Sequence, residues 1–354
     1  MKKIAIITIT NSGLNFGNRL QNYALQHELE KYSANVQTIF SAKNVYNSLF
    51  LSRLRRIAKV FLKTSGRQKH FNAFNRKYIK KAKQTRYEHI NDNIFKHKYD
   101  AFITGSDQVW NPEFHFNSEF EFLTFAEQNK RFSYSASFGV DEIPEIQKKA
   151  FSERLNGMQC ISVREEKGRD IVKQLSGRNA LVHIDPTMLP DKELYAAMEE
   201  KPDYLLPEKY LLKYFLGEQK PEYITFVDDI ATRLNLPVIE LSEIPKTTFY
   251  NIGPQHFLYL LRHAEYICTD SFHGTIFAII FCKMFTTFYR RGEDTPMHSR
   301  LETLLGKFGL KERLFGILDI ESTIGNISYD EIGHKLAEER AAASEYLRKI
   351  VNGT

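Results

Sequence analysis

Apolar and polar positions along this chain follow two alternating periods. Short runs rich in β-branched and aromatic residues occupy 4–10, 36–40, 100–104, 132–138 and 160–164, and stretches of helical spacing lie between them, the first at about 18–32. A second set of runs begins at 180–185 and continues through 210–216, 237–241, 266–269 and 284–289, with helical stretches such as 221–234 between them. Strand runs separated by helical stretches predict parallel sheets with crossover helices. We therefore expect an α/β chain of two Rossmann-like domains facing across a cleft. The boundary is expected where 177–190 breaks the pattern with Gly177, Asn179, Pro186 and Pro190. This gives domains at 1–178 and 179–328, closed by a helix at 329–354 that is rich in Glu, Ala, Lys and Arg.

The length of 354 residues suits two domains, and 42% hydrophobic with 26% charged residues excludes disorder as an account of any long segment. Cys160, Cys268 and Cys282 lie in apolar runs without C-x-x-C spacing, so they read as reduced packing residues, and no metal site is expected. The start, Met1-Lys2-Lys3 and then an apolar run, mimics a secretion signal. The run is too short, however, and leads into an Asn/Gly loop, so it reads as a first strand in a cytoplasmic protein. No stretch reaches the length of a membrane-spanning helix. The net charge of +6 is unevenly spread: residues 41–87 hold 14 Lys or Arg and no Asp or Glu, leaving −8 on the rest.

Four segments carry candidate chemistry. The loop after the first strand, with Asn15, Gly17 and Asn18, leads into a helix N-terminus at the sheet edge where open α/β folds bind ligands. It lacks G-x-G-x-x-G spacing, and its glycines also serve a plain tight turn. The stretch 104–112 sets Ser106, Asp107 and Gln108 beside Trp110, the single tryptophan. A sugar site needs such an aromatic face with polar groups beside it, and a capped turn over a core tryptophan fits the same residues. Arg164 ends an apolar strand facing the expected cleft. Its guanidinium is suited either to an anion or to an ion pair with Glu165 or Glu166. The most informative stretch is 266–281, where an apolar strand enters the polar turn Asp270-Ser271-Phe272-His273-Gly274-Thr275 and then an apolar helix that must be buried. His273 at that helix start is suited to anions and to proton transfer, and equally to capping. Arg290, Arg291 and Arg300 follow the next strand.

The combination of NFGNRLQNYAL (15–25), YDAFITGSDQVWNP (99–112), ISVREEKG (161–168) and TDSFHGTIFAIIF (269–281), with HIDPTML (183–189) and SRLETLL (299–305), resembles the polysaccharide pyruvyl transferase family over about residues 1–315. The resemblance implies a fold similar to GT-B glycosyltransferases, with phosphoenolpyruvate as donor and no cofactor. The implied acceptor is a sugar, often galactose or an N-acetylhexosamine, and the product a cyclic pyruvate ketal. It also implies that Arg164 and His273 belong to the donor site. Where some relatives carry Arg two residues before that histidine, this chain has Ser271, and a strand-end lysine of some relatives corresponds here to Arg290 or Arg291.

On this reading Arg164 and Arg290 or Arg291 grip the donor's carboxylate and phosphate, with Ser271, Gly274 and Thr275 around them. His273 handles a proton or the leaving phosphate, and Asp107 or Asp270 is the base toward the acceptor hydroxyl. Asn15, Gly17, Asn18, Ser106, Asp107, Gln108 and Trp110 are the expected acceptor side. The basic segment 41–87 carries an amphipathic pattern, with Phe50, Leu54, Ile57, Ala58 and Phe61 on one helical face. That pattern suits either the inner membrane surface, bringing the enzyme to a lipid-diphosphate-linked glycan, or packing between domains. Nucleic acid is not an expected partner, because no recognised module accompanies the charge. A nucleotide-sugar glycosyltransferase and a non-catalytic glycan-binding protein are the competing readings of the same fold.

Overall fold

A computed structural model describes residues 1–10, 14–40, 66–82, 97–114, 119–242, 247–290 and 298–353. The amphipathic pattern at 50–63 and Arg291 lie outside the described residues.

The first sheet orders its strands β2-β1-β3-β4, all parallel, from β1 (Lys3–Ile7), β2 (Asn35–Thr38), β3 (Ala101–Thr104) and β4 (Arg131–Ser133). Its pairing continues through the bridges Phe132 to Cys160 and Ala136 to Val163 into β5 (Ser162–Val163), which pairs with β6 (Leu181–Val182). The run at 180–185, expected to open the second set, thus belongs with the first. Its backbone continues the ladder, with Leu181 N donating to Ile161 O and His183 N to Val163 O. The second sheet is β10-β9-β7-β8, again all parallel, from β7 (Leu211–Tyr214), β8 (Val238–Leu241), β9 (Tyr266–Thr269) and β10 (Met284–Thr287).

Helices return the chain between most of these strands and continue beyond the last one. They are α1 (Phe16–Lys31), α2 (Gly66–Tyr78), α3 (Glu145–Asn156), α4 (Glu166–Ser176), α5 (Lys192–Met198), α6 (Pro221–Arg233), α7 (Pro254–His263), α8 (Phe272–Ile280), α9 (His298–Phe308), α10 (Ile320–Thr323) and α11 (Tyr329–Asn352). Helix α8 is buried on every face, as its FHGTIFAII sequence demands.

Aromatic packing joins the two sheets' layers. Phe16 at the start of α1 stacks on Phe257 of α7 at 4.7 Å and on Phe71 of α2 at 5.5 Å. Arg67 covers Phe16 at 4.4 Å and donates to the Leu14 and Tyr250 carbonyls. Each such ring, fully buried, contributes roughly 1.5–3 kcal/mol. One apolar core consequently runs through both halves. Helix α11 straps them: Tyr346 donates to Ser133 O at 2.8 Å, Tyr329 to Lys283 O, and Arg340 Nε to Met188 O at 2.7 Å. The carboxyl ends of the two sheets therefore face one seam, where open α/β folds place ligands.

Candidate active site

Arg164, just after β5, lies at the centre of that seam and is 4% exposed. Its Nη1 donates to Asp185 Oδ2 at 3.0 Å. Nη2 lies 3.9 Å from Asp107 Oδ1 and Nε 3.9 Å from Glu165 Oε2, ion-pair distances too long for hydrogen bonds. The guanidinium stands 4.3 Å over the Phe272 ring, a cation–π contact between the halves. Of the two partners considered from sequence, Glu165 stays nearby, while Glu166 pairs with Arg169 at 2.6 Å.

Asp185 is the hub. Its Oδ1 accepts from the Thr187 amide at 3.0 Å and hydroxyl at 2.7 Å; Oδ2 faces Arg164, the Ser106 hydroxyl at 2.9 Å and His273 Nε2 at 3.7 Å. Burial alone would raise its carboxyl, but the His273 ring, Arg164 and the Thr187 amide hold it well below the ordinary carboxylate range. Asp107 behaves alike: against burial, Arg164, His273 and Arg300 lower it. One Asp107 oxygen accepts from Gln108 N at 2.9 Å and the other from Asn18 Nδ2 at 3.3 Å.

His273 crosses the seam from α8. A Cβ on Gly17 would lie 2.1 Å from its Cγ and Nδ1, so only glycine lets the ring rest on α1. Its Nε2, like Arg164 Nε and Nη2, is buried without a hydrogen-bond partner among the described residues. Beside them, Arg300 of α9 places its guanidinium 5.8 Å from the Phe272 centroid. Burial and the neighbouring Arg164 and Arg290 lower its pKa to about 10. Asp270, Phe272, Arg290, His298, Arg300 and Leu301 line one small pocket on this side.

The structure thus brings Arg164, His273, Asp107, Gly17 and Asn18 together, with Arg290 at the rim. Other expected site residues serve the scaffold instead. Trp110 is fully buried, stacked on Phe122 at 5.0 Å with its Nε1 donating to Glu121 O, so it cannot offer a face to a sugar. Asp270 has one oxygen on Leu216 N and the other on Gly217 N, at 2.7 and 2.8 Å, which fixes a loop and disqualifies it as a free base. Asn15 caps α1 by accepting from Asn18 N, and Ser271 caps α8 by accepting from Gly274 N. Thr275 hydrogen-bonds Ser271 O and Thr287, and Gly274 packs against Thr269. Ser106 supports Asp185, and Gln108 accepts from Asn111 Nδ2 at 2.6 Å. Asp185, and Arg300 beyond its place after the strand, are not singled out as site residues by the sequence. Their signal was the HIDPTML and SRLETLL stretches, which carry no chemistry-specific spacing of their own. Among the described residues no cluster of three or more His, Cys, Asp or Glu is placed to hold a metal ion.

Paired parallel sheets with the polar cluster between their carboxyl ends define a GT-B-like protein. The chain is similar to the Listeria monocytogenes structure described as a UDP-N-acetylglucosamine 2-epimerase, at TM-score 0.50 and 12% identity, covering 97% of this chain and 91% of that one. It is also similar to the Methanocaldococcus jannaschii UDP-GlcNAc 2-epimerase, at TM-score 0.47 and 12% identity over 99% and 100%. At such identities the likeness is one of fold. A comparison with curated proteins gave no match. The family model of polysaccharide pyruvyl transferases matches residues 15–291, and the chain belongs to that family.

Proposed function

We propose that this chain transfers pyruvate from phosphoenolpyruvate to two hydroxyls of one sugar, galactose or an N-acetylhexosamine, in a polysaccharide or its lipid-linked precursor. The observation that carries the reading is the set of buried nitrogens with no hydrogen-bond partner among the described residues, Arg164 Nε and Nη2 and His273 Nε2, converging on the seam. Buried donors are normally satisfied, so such a set is what an anionic ligand would complete. Phosphoenolpyruvate carries two anionic groups. Arg164 takes one, and Arg300 with Arg290, across the Phe272 ring, takes the other.

The reaction needs no redox step. C3 of the donor gains a proton, a sugar hydroxyl adds to C2 and gives its proton to a base, and a second hydroxyl then displaces phosphate from C2. Its proton leaves with the phosphate, so one hydroxyl proton ends in the new methyl group and the other on phosphate. His273 is assigned to the donor's proton or leaving phosphate, and Asp107, one of whose oxygens makes the long 3.3 Å contact to Asn18, to the acceptor hydroxyl. Asp185 keeps Arg164 and His273 oriented. A cytoplasmic setting accords with the three free thiols. No helix among the described residues is long and apolar enough to cross a membrane. Contact with the inner membrane surface is proposed for the basic segment alone.

Calorimetry with phosphoenolpyruvate tests the reading. Wild type should bind one equivalent, and Arg164→Met should weaken it about 100-fold, the scale of two lost charge-assisted hydrogen bonds. Absence of binding to wild type, with saturable binding of a nucleoside diphosphate in its place, would give the site to a nucleotide sugar.

A further inference from the structure

We propose that Arg19 and Lys81, at the carboxyl ends of β1 and β2, form a second anion site, which takes a phosphate or diphosphate ester carried by the acceptor. The proposal deepens the pyruvyl-transfer reading by naming the acceptor class, and rests on it for that name alone.

Arg19 is 5% exposed on the first turns of α1. Its Nη1 donates to Asn18 Oδ1 and its Nη2 to Thr10 O at 3.1 Å, both neutral acceptors, while Nε is buried with no hydrogen-bond partner among the described residues. Arg164, by contrast, has Asp185, Asp107 and Glu165 around it. Burying a guanidinium without a counter-charge is costly, and the cost is removed when an anion fills the place. Lys81 supplies a second cation. Residues 80–82 are fixed along β2, with Thr38 N donating to Lys80 O at 2.8 Å and Ala82 N to Thr38 O at 2.9 Å. Lys81 Nζ is held 4.3 Å over the Phe40 ring. Neither Arg19 nor Lys81 makes an ion pair among the described residues. Burial, and then the field of Arg19, both lower the Lys81 pKa, a repulsion that an anion between them would relieve.

The site is physically coupled to the seam through Asn18. Its Oδ1 accepts from Arg19, and its Nδ2 donates to Asp107. An ester phosphate on Arg19 would therefore place the attached sugar over Asn18 and Asp107, beside the proposed base. Two sources share this chemistry, a soluble nucleoside diphosphate sugar and a lipid diphosphate sugar.

Inorganic pyrophosphate titrated into protein saturated with phosphoenolpyruvate reads the site directly. Wild type should bind one equivalent without displacing the donor, and Arg19→Gln should weaken it about tenfold or more while donor affinity holds. Lys81→Gln should weaken it by a smaller factor. Pyrophosphate that binds only by displacing the donor, or equally well in both variants, overturns the proposal. If phosphoenolpyruvate itself fails to bind, the pyruvyl reading falls, and pyrophosphate titrated into Arg164→Met protein still decides the second site. Arg19-dependent binding of uridine diphosphate points to the soluble source. Arg19-dependent sedimentation with phosphatidylcholine vesicles carrying farnesyl diphosphate points to the lipid source.

Discussion

The two sheet edges that meet at the seam differ in charge. The first brings the carboxylates Asp107, Glu165 and Asp185 around the Arg164 guanidinium; the second brings His273, Arg290 and Arg300, with Asp270 accepting from two backbone amides and lying 4.0 Å from Arg290 Nε. The two edges meet across Phe272 and Gly17, which brings the acidic cluster of one against the imidazole and guanidinium groups of the other. The candidate site and the contact between the halves are thus built from the same residues.

The sharpest way to break this comparison is to remove the cation embedded in the acidic edge. Arg164→Met should cost about 3–5 kcal/mol of stability, the range for a broken buried pair, and urea unfolding would show it. An unchanged midpoint would mean that the acidic edge does not depend on Arg164.

Acid should separate the groups by the sign of their shifts. His183, two residues before Asp185, is lowered to about 4 by burial and then by Lys307; its ring stacks on Tyr134 and meets Tyr346 at a tilt. Below its ordinary value near 6.5 the unfolded chain takes up a proton that folded His183 refuses until about pH 4. Its contribution is therefore complete above pH 6.5 and falls by about 3 kcal/mol on the way down to 4. The lowered carboxylates of Asp107 and Asp185 lose theirs only at still lower pH, as each passes its folded value. Urea midpoints between pH 7 and 4 should fall less in His183→Gln than in wild type.

Gly17→Ala tests the contact rather than the charge. The new methyl must displace the His273 ring, and a shift of about 1 Å is enough to lower kcat by about 100-fold, read in a phosphate-release assay. Wild-type turnover in that variant would place the histidine outside the chemistry. The smallest effect is expected at Asp270→Asn, about 1–2 kcal/mol of stability from the weakened amide contacts at 216–217, with donor affinity nearly unchanged. A large loss of affinity there would return Asp270 to the site.

The family motifs were legible as strings, and the strands of both sheets were legible as apolar runs, because β-branched runs between helical stretches have few other ways to bury themselves. Roles within the motifs were not. Asp107 and Asp270 both follow an apolar strand and precede a turn, and nothing local tells them apart. One meets backbone amides from a neighbouring strand end, the other a guanidinium and an imidazole. Trp110 likewise carried an aromatic signal compatible with a sugar platform, and the rings of Phe122 and Phe138 enclosed it.

The sequence by itself determined the alternation of strands and helices, the burial of α8 and the placing of polar turns at strand ends. The tertiary structure decided which sheet takes the strand at 181–182, which polar groups have partners, and that Arg164, Asp185 and His273 share one seam. Local pattern fixes backbone periodicity, whereas the satisfaction of a buried charge depends on groups about 20 to more than 100 residues away that meet only when the two halves close.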